Sequence, residues 1–85
     1  MYLSWSDDAW DSYQYWLAND KRIVKRINTL IKDIQRGGHT GIGKPEPLKY
    51  DLEGYWSRRI TDEHRLIYTI EGKNIIIAQC RGHYQ

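Results

Sequence analysis

Apolar residues recur every three or four positions through the first half of the chain. This spacing predicts two consecutive helices, the first ending near residues 18–19 and the second stopped by the glycines at 37 and 38. Ser6 and Asp20 stand where N-caps are expected. The apolar positions are Trp10, Tyr13, Trp16 and Leu17 in the first helix, and Ile23, Val24, Ile27, Leu30, Ile31 and Ile34 in the second.

Aromatic and β-branched runs on both sides of the helical pair predict strands. Residues 2–5 form a short strand, residues 55–60 and 64–70 form a hairpin, and residues 75–80 form a largely buried strand. The order β-α-α-β-β-β predicts an α+β fold with two helices packed on one side of an antiparallel sheet. The length of 85 residues fits a single domain spanning residues 1–85.

The predicted hairpin sets two arginines side by side. A turn at residues 61–63 places Arg59 opposite Arg65 on one face of the sheet. Facing like charges destabilise a sheet, so the pair indicates a bound anion, and guanidinium groups match phosphate oxygens well. The alternative is a solvated face neutralised by carboxylates such as Glu53 or Asp62. The hairpin alone leaves both interpretations open.

The segment from residue 39 to residue 52 contains glycines and prolines that exclude a helix or a central strand. Prolines on both sides of Glu46 stiffen the backbone and predict extended conformations for Lys44 and Glu46. A rigid loop that carries one carboxylate between Lys44 and Lys49 suits a functional group. An ordinary surface connector with solvated charges is the alternative.

Composition narrows the possible chemistry. The net charge of +2 is weak support for nucleic-acid binding. The single cysteine, Cys80, permits no internal disulfide and is expected to act as a small hydrophobe in its strand, which favours a cytoplasmic location. The N-terminus lacks the features of a signal peptide, and no apolar run reaches about 18 residues, so no membrane partner is expected. One cysteine and three scattered histidines form no usual zinc set, and no cofactor is expected.

The remaining polar candidates suit metal-free phosphoryl transfer within RNA. A carboxylate such as Glu46 can take the proton from a ribose 2′-hydroxyl, and a protonated histidine such as His83 can protonate the departing 5′-oxygen. Cations such as the paired arginines stabilise the charge that develops on the phosphate. DNA lacks the 2′-hydroxyl, so this set favours RNA as the substrate.

Four runs of the sequence stand out when they are considered together: Gly41–Lys49, Gly54–Ile60, Glu63–Tyr68 and Cys80–Tyr84. These runs resemble the YoeB toxins of the RelE superfamily, and the likeness spans the whole chain. The resemblance implies a compact microbial-ribonuclease-like fold and the toxin of a bacterial type II toxin–antitoxin pair. Such toxins are ribosome-dependent endoribonucleases that cut mRNA in the A site and stop translation.

The resemblance also implies residue roles and partners. The partners are a YefM-like antitoxin with a disordered acidic tail that blocks the site, the ribosome with its mRNA, and a second copy in a homodimer. DNA is contacted only indirectly, through the antitoxin complex. Cleavage of free RNA is expected to be very weak, because orientation on the ribosome can contribute about 7–11 kcal/mol. By this resemblance Glu46 is the general base, His83 the general acid, Arg65 stabilises the transition state, Tyr84 packs against or orients the substrate, and Lys49 and Arg59 bind phosphate.

Three other interpretations fit parts of the pattern. A toxin of the same fold that poisons DNA gyrase would leave Glu46 and the ending His83-Tyr84 without a role. A non-catalytic RNA- or ribosome-binding module would use only the arginine face and exposed aromatic rings. A purely structural protein would use the arginines to hold an acidic partner.

Overall fold

The computed structural model describes residues 1–83, so Tyr84 and its predicted role lie outside the described residues. The order of elements confirms the α+β class and adds one two-residue strand that the sequence pattern did not predict. None of the helices in the described part is long and apolar enough to cross a membrane. The elements are β1 (Tyr2–Trp5), α1 (Asp7–Asn19), α2 (Lys21–Gly37), β2 (Glu46–Pro47), a 3₁₀ turn (Tyr50–Leu52), β3 (Trp56–Arg59), β4 (Arg65–Glu71) and β5 (Asn74–Gln79).

The sheet formed by residues 1–83 is mixed, with strand order β1-β5-β4-β3-β2. The prediction of an antiparallel sheet is correct for three of its pairs and wrong at one edge. There β1 runs parallel to β5, with Leu3 beside Ile75. These strands come from opposite ends of the chain. Their relative direction is therefore set by the path through both helices and not by a local turn.

Both predicted helix caps are present. The Ser6 hydroxyl accepts a hydrogen bond from the Ala9 N–H at 3.0 Å and donates one to the Ala78 carbonyl at 2.7 Å. The Asp20 carboxylate accepts hydrogen bonds from the second and third N–H groups of α2, and Gly38 ends α2 with a φ of 65°. The Ser6 cap therefore also ties α1 to the strand β5.

The core lies between the helices and one face of the sheet. All six apolar residues predicted for α2 are buried, and they pack with alternate residues of β4 and β5, such as Leu66 and Ile77. The predicted stripe of α1 is only partly correct, because Trp10 is 49% exposed and Leu17 is 42% exposed. Only Ala9 and Trp16 of α1 are buried.

An ion pair joins the sheet to the helix α2. Arg58 points towards the helices and is fully buried, where it forms a salt bridge with Asp33 of α2. Its guanidinium also donates to the Tyr68 hydroxyl at 3.2 Å and to carbonyl groups in the segment 38–42. The hydrogen bond from Arg58 holds the pKa of the Asp33 carboxyl below its usual value. Arg58 thus fastens the segment that follows α2 onto the sheet.

Candidate active site

The strands β2, β3 and β4 carry a group of polar side chains on the face opposite the helices. Cross-strand neighbours share a face, and Glu46 pairs with Ser57 while Arg59 pairs with Arg65. Ser57 and Arg59 are two residues apart on one strand, so all four side chains lie on the same face. The predicted hairpin register is therefore confirmed, and it brings the arginine pair to the same surface as Glu46.

A cleft of about 400 Å³ opens on this face. It contains the predicted carboxylate, the predicted histidine and the predicted cations, which come from three strands, the loop after β2 and the segment after β5. Tyr84 is the remaining predicted site residue and lies outside the described residues. The lining residues are Glu46, Pro47, Leu48, Lys49, Tyr50, Ser57, Arg59, Arg65 and His83.

Arg65 is fixed by the turn that precedes it and contacts His83. Its Nη1 donates to the carbonyl groups of Thr61 at 2.7 Å, Asp62 at 3.1 Å and His64 at 3.2 Å. Its Nη2 lies 3.1 Å from His83 Nε2. A guanidinium can only donate, so His83 Nε2 accepts this hydrogen bond and carries no proton in this arrangement.

The paired arginines are not neutralised by the nearby carboxylates. Arg59 and Arg65 form no salt bridge with another side chain of residues 1–83, and Arg65 uses the backbone carbonyl of Asp62, not its carboxylate. Arg59 is exposed in the cleft. The cleft therefore has a positive surface that can accept an anion.

Two glycines let the loop that leads to Glu46 lie close to α2. A Cβ atom at Gly41 would stand 1.9 Å from Asp33 Oδ2, and one at Gly43 would stand 2.8 Å from a methyl group of Leu30. The Gly43 carbonyl accepts a hydrogen bond from the Arg59 N–H at 2.7 Å. The loop is thus held by packing and by a backbone hydrogen bond three residues before Glu46.

Two non-glycine residues with positive φ lie on either side of β2. Lys44 has a φ of 52° and Tyr50 a φ of 58°. The predicted extended backbone is confirmed for Glu46 but wrong for Lys44, because the chain turns sharply between the packed Gly43 and the edge strand. Each such conformation costs about 1–3 kcal/mol, and such residues are concentrated at functional sites.

Several residues of the cleft were not predicted from the sequence. Ser57 could have been found from strand periodicity, because it stands two positions before Arg59 on β3. Leu48 and Tyr50 carry no comparable signal. Their position in the cleft follows from the turn after β2, which local sequence does not specify.

Cys80 lies outside the cleft and in the core. Burial raises the pKa of its thiol to about 12, and its S–H donates to the Ala9 carbonyl at 3.4 Å. The thiol therefore stays protonated at neutral pH, as expected for a small hydrophobe and not for a nucleophile.

Comparison with known proteins places the chain in a family. The sequence profile of the YoeB-like toxins of bacterial type II toxin–antitoxin systems matches residues 5–84. The chain belongs to this family of toxins. It is 58% identical to Toxin YoeB of Escherichia coli K12, over 99% of this chain and 100% of the relative. The resemblance found in the sequence is therefore confirmed for the YoeB family.

Solved structures of YoeB toxins share the fold over almost the whole chain. The YoeB/ParE toxin from Agrobacterium tumefaciens superposes with a TM-score of 0.96 at 49% identity, covering 99% of this chain and 100% of that one. YoeB in the YoeB–YefM complex from Staphylococcus aureus gives 0.93 at 49% identity, covering 99% and 98%. The Staphylococcus aureus YoeB dimer gives 0.94 at 50% identity with the same coverage. The mixed sheet with its two helices is thus the fold of the YoeB family.

Proposed function

We propose that this toxin is a ribosome-dependent endoribonuclease that cuts mRNA in the A site of the cytoplasmic ribosome and thereby inhibits translation. The observation that carries the proposal is that Glu46, Arg59, Arg65 and His83 line one cleft. A carboxylate, two guanidiniums and an imidazole supply a base, anion stabilisation and an acid without a metal ion. Membership in a family of type II toxins supports an activity that stops growth.

The proposed reaction transfers the phosphoryl group within the RNA chain. Glu46 takes the proton of the 2′-hydroxyl as its oxygen attacks the adjacent phosphorus. The new P–O2′ bond forms while the P–O5′ bond breaks, and His83 gives a proton to the departing 5′-oxygen. Lys49 and Arg59 bind the phosphate, and Arg65 stabilises the charge of the transition state. The first products are a 2′,3′-cyclic phosphate and a 5′-hydroxyl.

The contact between Arg65 and His83 must change before the acid step. In the free protein His83 Nε2 accepts a hydrogen bond from Arg65, so this nitrogen has no proton to give. A substrate phosphate is a stronger, charged acceptor for the guanidinium. When Arg65 turns to the phosphate, Nε2 is free to bind a solvent proton, and the resulting imidazolium gives that proton to the departing 5′-oxygen.

The shape of the cleft supports dependence on the ribosome. Its volume of about 400 Å³ is near the lower end for ligand sites, which span about 300–1,000 Å³. Glu46 is exposed on an edge strand, so the chain alone makes few contacts that would hold an RNA strand in line. A larger partner that orients the strand can contribute about 7–11 kcal/mol. The role of Tyr84, packing against or orienting the substrate, remains part of the proposal.

Primer extension on one mRNA in a purified bacterial translation system, with and without ribosomes, tests the proposal. We expect cuts only on translated mRNA. Glu46→Gln and His83→Ala should each reduce the cleavage rate by about 10²–10⁴-fold. Glu53→Gln is the matched control, because Glu53 is exposed and lies outside the cleft, and it should cut like the wild type.

Other outcomes of this experiment would overturn the nuclease proposal. Blocked protein synthesis with intact mRNA, unaffected by Glu46→Gln, would identify a non-catalytic ribosome-binding protein. Unaffected synthesis together with inhibited supercoiling by gyrase would identify a gyrase poison. Rapid cleavage of a short free oligonucleotide would contradict the dependence on the ribosome.

We also propose that the chain pairs with a YefM-like antitoxin and forms a homodimer. YoeB of Staphylococcus aureus has been solved in complex with YefM and as a dimer. The positive cleft around Lys49, Arg59 and Arg65 suits the acidic tail of such an antitoxin, while DNA would be reached only through the complex. A full-length antitoxin should block cleavage, whereas an antitoxin without its tail should not. Equal inhibition by both forms would contradict this arrangement.

A further inference from the structure

The segment that carries His83 is held on the sheet by contacts with Gly82. The Gly82 N–H donates to His64 Nδ1 at 2.9 Å, and the Gly82 carbonyl accepts from the Arg65 N–H at 2.9 Å. Gly82 has a φ of 89°, a conformation that few residues with side chains adopt. Gly82, the residue before His83, is thus held by two adjacent residues, His64 in the turn before β4 and Arg65 at the start of β4.

His64 is itself fixed in place. Its backbone N–H donates to the Thr61 hydroxyl at 3.1 Å, and its imidazole ring packs edge-on against the Trp16 ring of α1, with the ring centroids 4.8 Å apart. Because Nδ1 accepts the bond from Gly82, the ring is neutral in this arrangement and its proton is on Nε2. A rigid acceptor therefore faces the Gly82 amide.

Trp16 connects the same segment to the core from the other side. It is buried, and its indole Nε1 donates to the Cys80 carbonyl at 3.0 Å. The chain between Cys80 and His83 is consequently held at two points, Cys80 by Trp16 and Gly82 by His64. The contact between Arg65 and His83 at 3.1 Å depends on this path of the backbone.

We propose that His64 is a positioning residue that fixes the acid His83 through Gly82. His64 is absent from the lining of the cleft and acts only through the backbone. Without the acceptor at His64 Nδ1, Gly82 keeps only the hydrogen bond from the Arg65 N–H to its carbonyl, and His83 can rotate about this single attachment. The inference rests on the proposed nuclease function, because positioning of the acid matters only if His83 is an acid. A misplacement of about 1 Å can cost about 100-fold in rate.

Two substitutions of His64 separate the acceptor from the bulk of the ring. His64→Asn keeps an oxygen at the position of Nδ1, whereas His64→Leu fills the space against Trp16 without an acceptor. The first readout is the NMR order parameter of the Gly82 amide, which needs no activity. We expect His64→Leu to lower it from the rigid range of about 0.85 to below about 0.6. His64→Asn should keep it near the wild-type value.

The second readout is single-turnover cleavage of mRNA on the ribosome. His64→Leu should slow the bond-breaking step by about 100-fold with little change in binding to the ribosome, and His64→Asn should restore most of the rate. In a His83→Ala background, His64→Leu should cost nothing further, because a positioning residue has nothing left to position. A loss of equal size in both backgrounds would overturn the inference, as would an ordered Gly82 amide in His64→Leu.

The two readouts distinguish this inference from the proposed function. A wild-type protein that cleaves no mRNA, with a Gly82 amide that loses order in His64→Leu, would overturn the nuclease proposal while supporting the attachment of the segment. A mobile Gly82 amide with an unchanged cleavage rate would overturn the role of His64 and leave the nuclease proposal intact. If His64→Leu does not fold, His64→Asn decides the matter alone. A Gly82 order parameter and a cleavage rate near the wild-type values in His64→Asn would support the inference, and a decrease of both would oppose it.

Discussion

Arg58 and Arg59 are adjacent in the sequence but should respond in opposite ways to the same substitution. Arg58 is fully buried and donates to the Asp33 carboxylate, the Tyr68 hydroxyl and backbone carbonyls of the segment 38–42. Arg59 is exposed in the cleft and opposite another arginine. We predict that Arg58→Met strongly lowers the free energy of unfolding and that Arg59→Met does not.

The expected magnitude follows from what Arg58→Met leaves behind. The Asp33 side chain is 20% exposed, so water can solvate its carboxylate once Arg58 is gone, and the main loss comes from the other acceptors. The buried Tyr68 hydroxyl and the carbonyl groups of the segment 38–42 lose their donor, and each buried polar group left unpaired costs about 1–3 kcal/mol, so a total of about 3 kcal/mol is expected for Arg58→Met. A chain of this length has a total stability of about 4–13 kcal/mol, so the loss is a large fraction of it. Arg59→Met should stay within about 0.5 kcal/mol of the wild type, or stabilise slightly by removing a like-charge pair.

Urea denaturation followed by tryptophan fluorescence and circular dichroism measures the difference. With an m value of about 1–2 kcal/mol per molar urea, Arg58→Met should lower the midpoint by about 1.5–3 M. Arg59→Met should leave the midpoint unchanged while impairing ribosome-dependent cleavage. Equal midpoints for the two variants, with equal m values, would refute the assignment of Arg58 as the residue that fastens the segment after α2.

Three further predictions concern the loop, the ion pair and the core thiol. Gly41→Ala should destabilise the fold by about 1–3 kcal/mol and by more than Gly72→Ala. A Cβ at position 41 meets the Asp33 carboxylate, whereas nothing lies within 4 Å of a Cβ at position 72. Thermal unfolding measures the stability of the two variants, and equal losses would contradict the close packing at Gly41. In the folded protein the pKa of the Asp33 carboxyl lies below its ordinary value of 3.8. As the pH falls below about 4, the unfolded chain therefore binds this proton before the folded protein does, and the free energy of unfolding decreases. Asp33→Asn should make the free energy of unfolding less dependent on pH in urea titrations, and an unchanged pH dependence would contradict the role of Asp33. Burial raises the pKa of the Cys80 thiol to about 12, so this thiol should resist an alkylating reagent at pH 8 in the native protein and react fully in urea. Rapid alkylation of the native protein would show that the core opens.

Features based on neighbouring residues were predictable from the sequence. The apolar stripe of α2, the Ser6 and Asp20 caps and the hairpin register depend on contacts across a few residues and on fixed periods of the backbone. The register alone places Arg59 opposite Arg65. Residue chemistry alone made Glu46, His83 and the paired arginines candidates for phosphoryl transfer, but it left a solvated surface open as the alternative for Glu46 and for the arginines. The resemblance to YoeB toxins assigned the individual roles of the site residues.

Features that join distant parts of the chain needed the tertiary structure. The sequence by itself determined two capped helices, a hairpin with paired arginines and a stiff loop around Glu46. Only the tertiary structure decided that Arg58 pairs with Asp33 while Arg59 faces the cleft, that β1 runs parallel to β5, and that His83 meets Arg65. The physical reason is that periodicity and capping act through local backbone geometry, whereas these contacts join residues 18 or more positions apart. Their geometry exists only once helices and strands have packed around a common core.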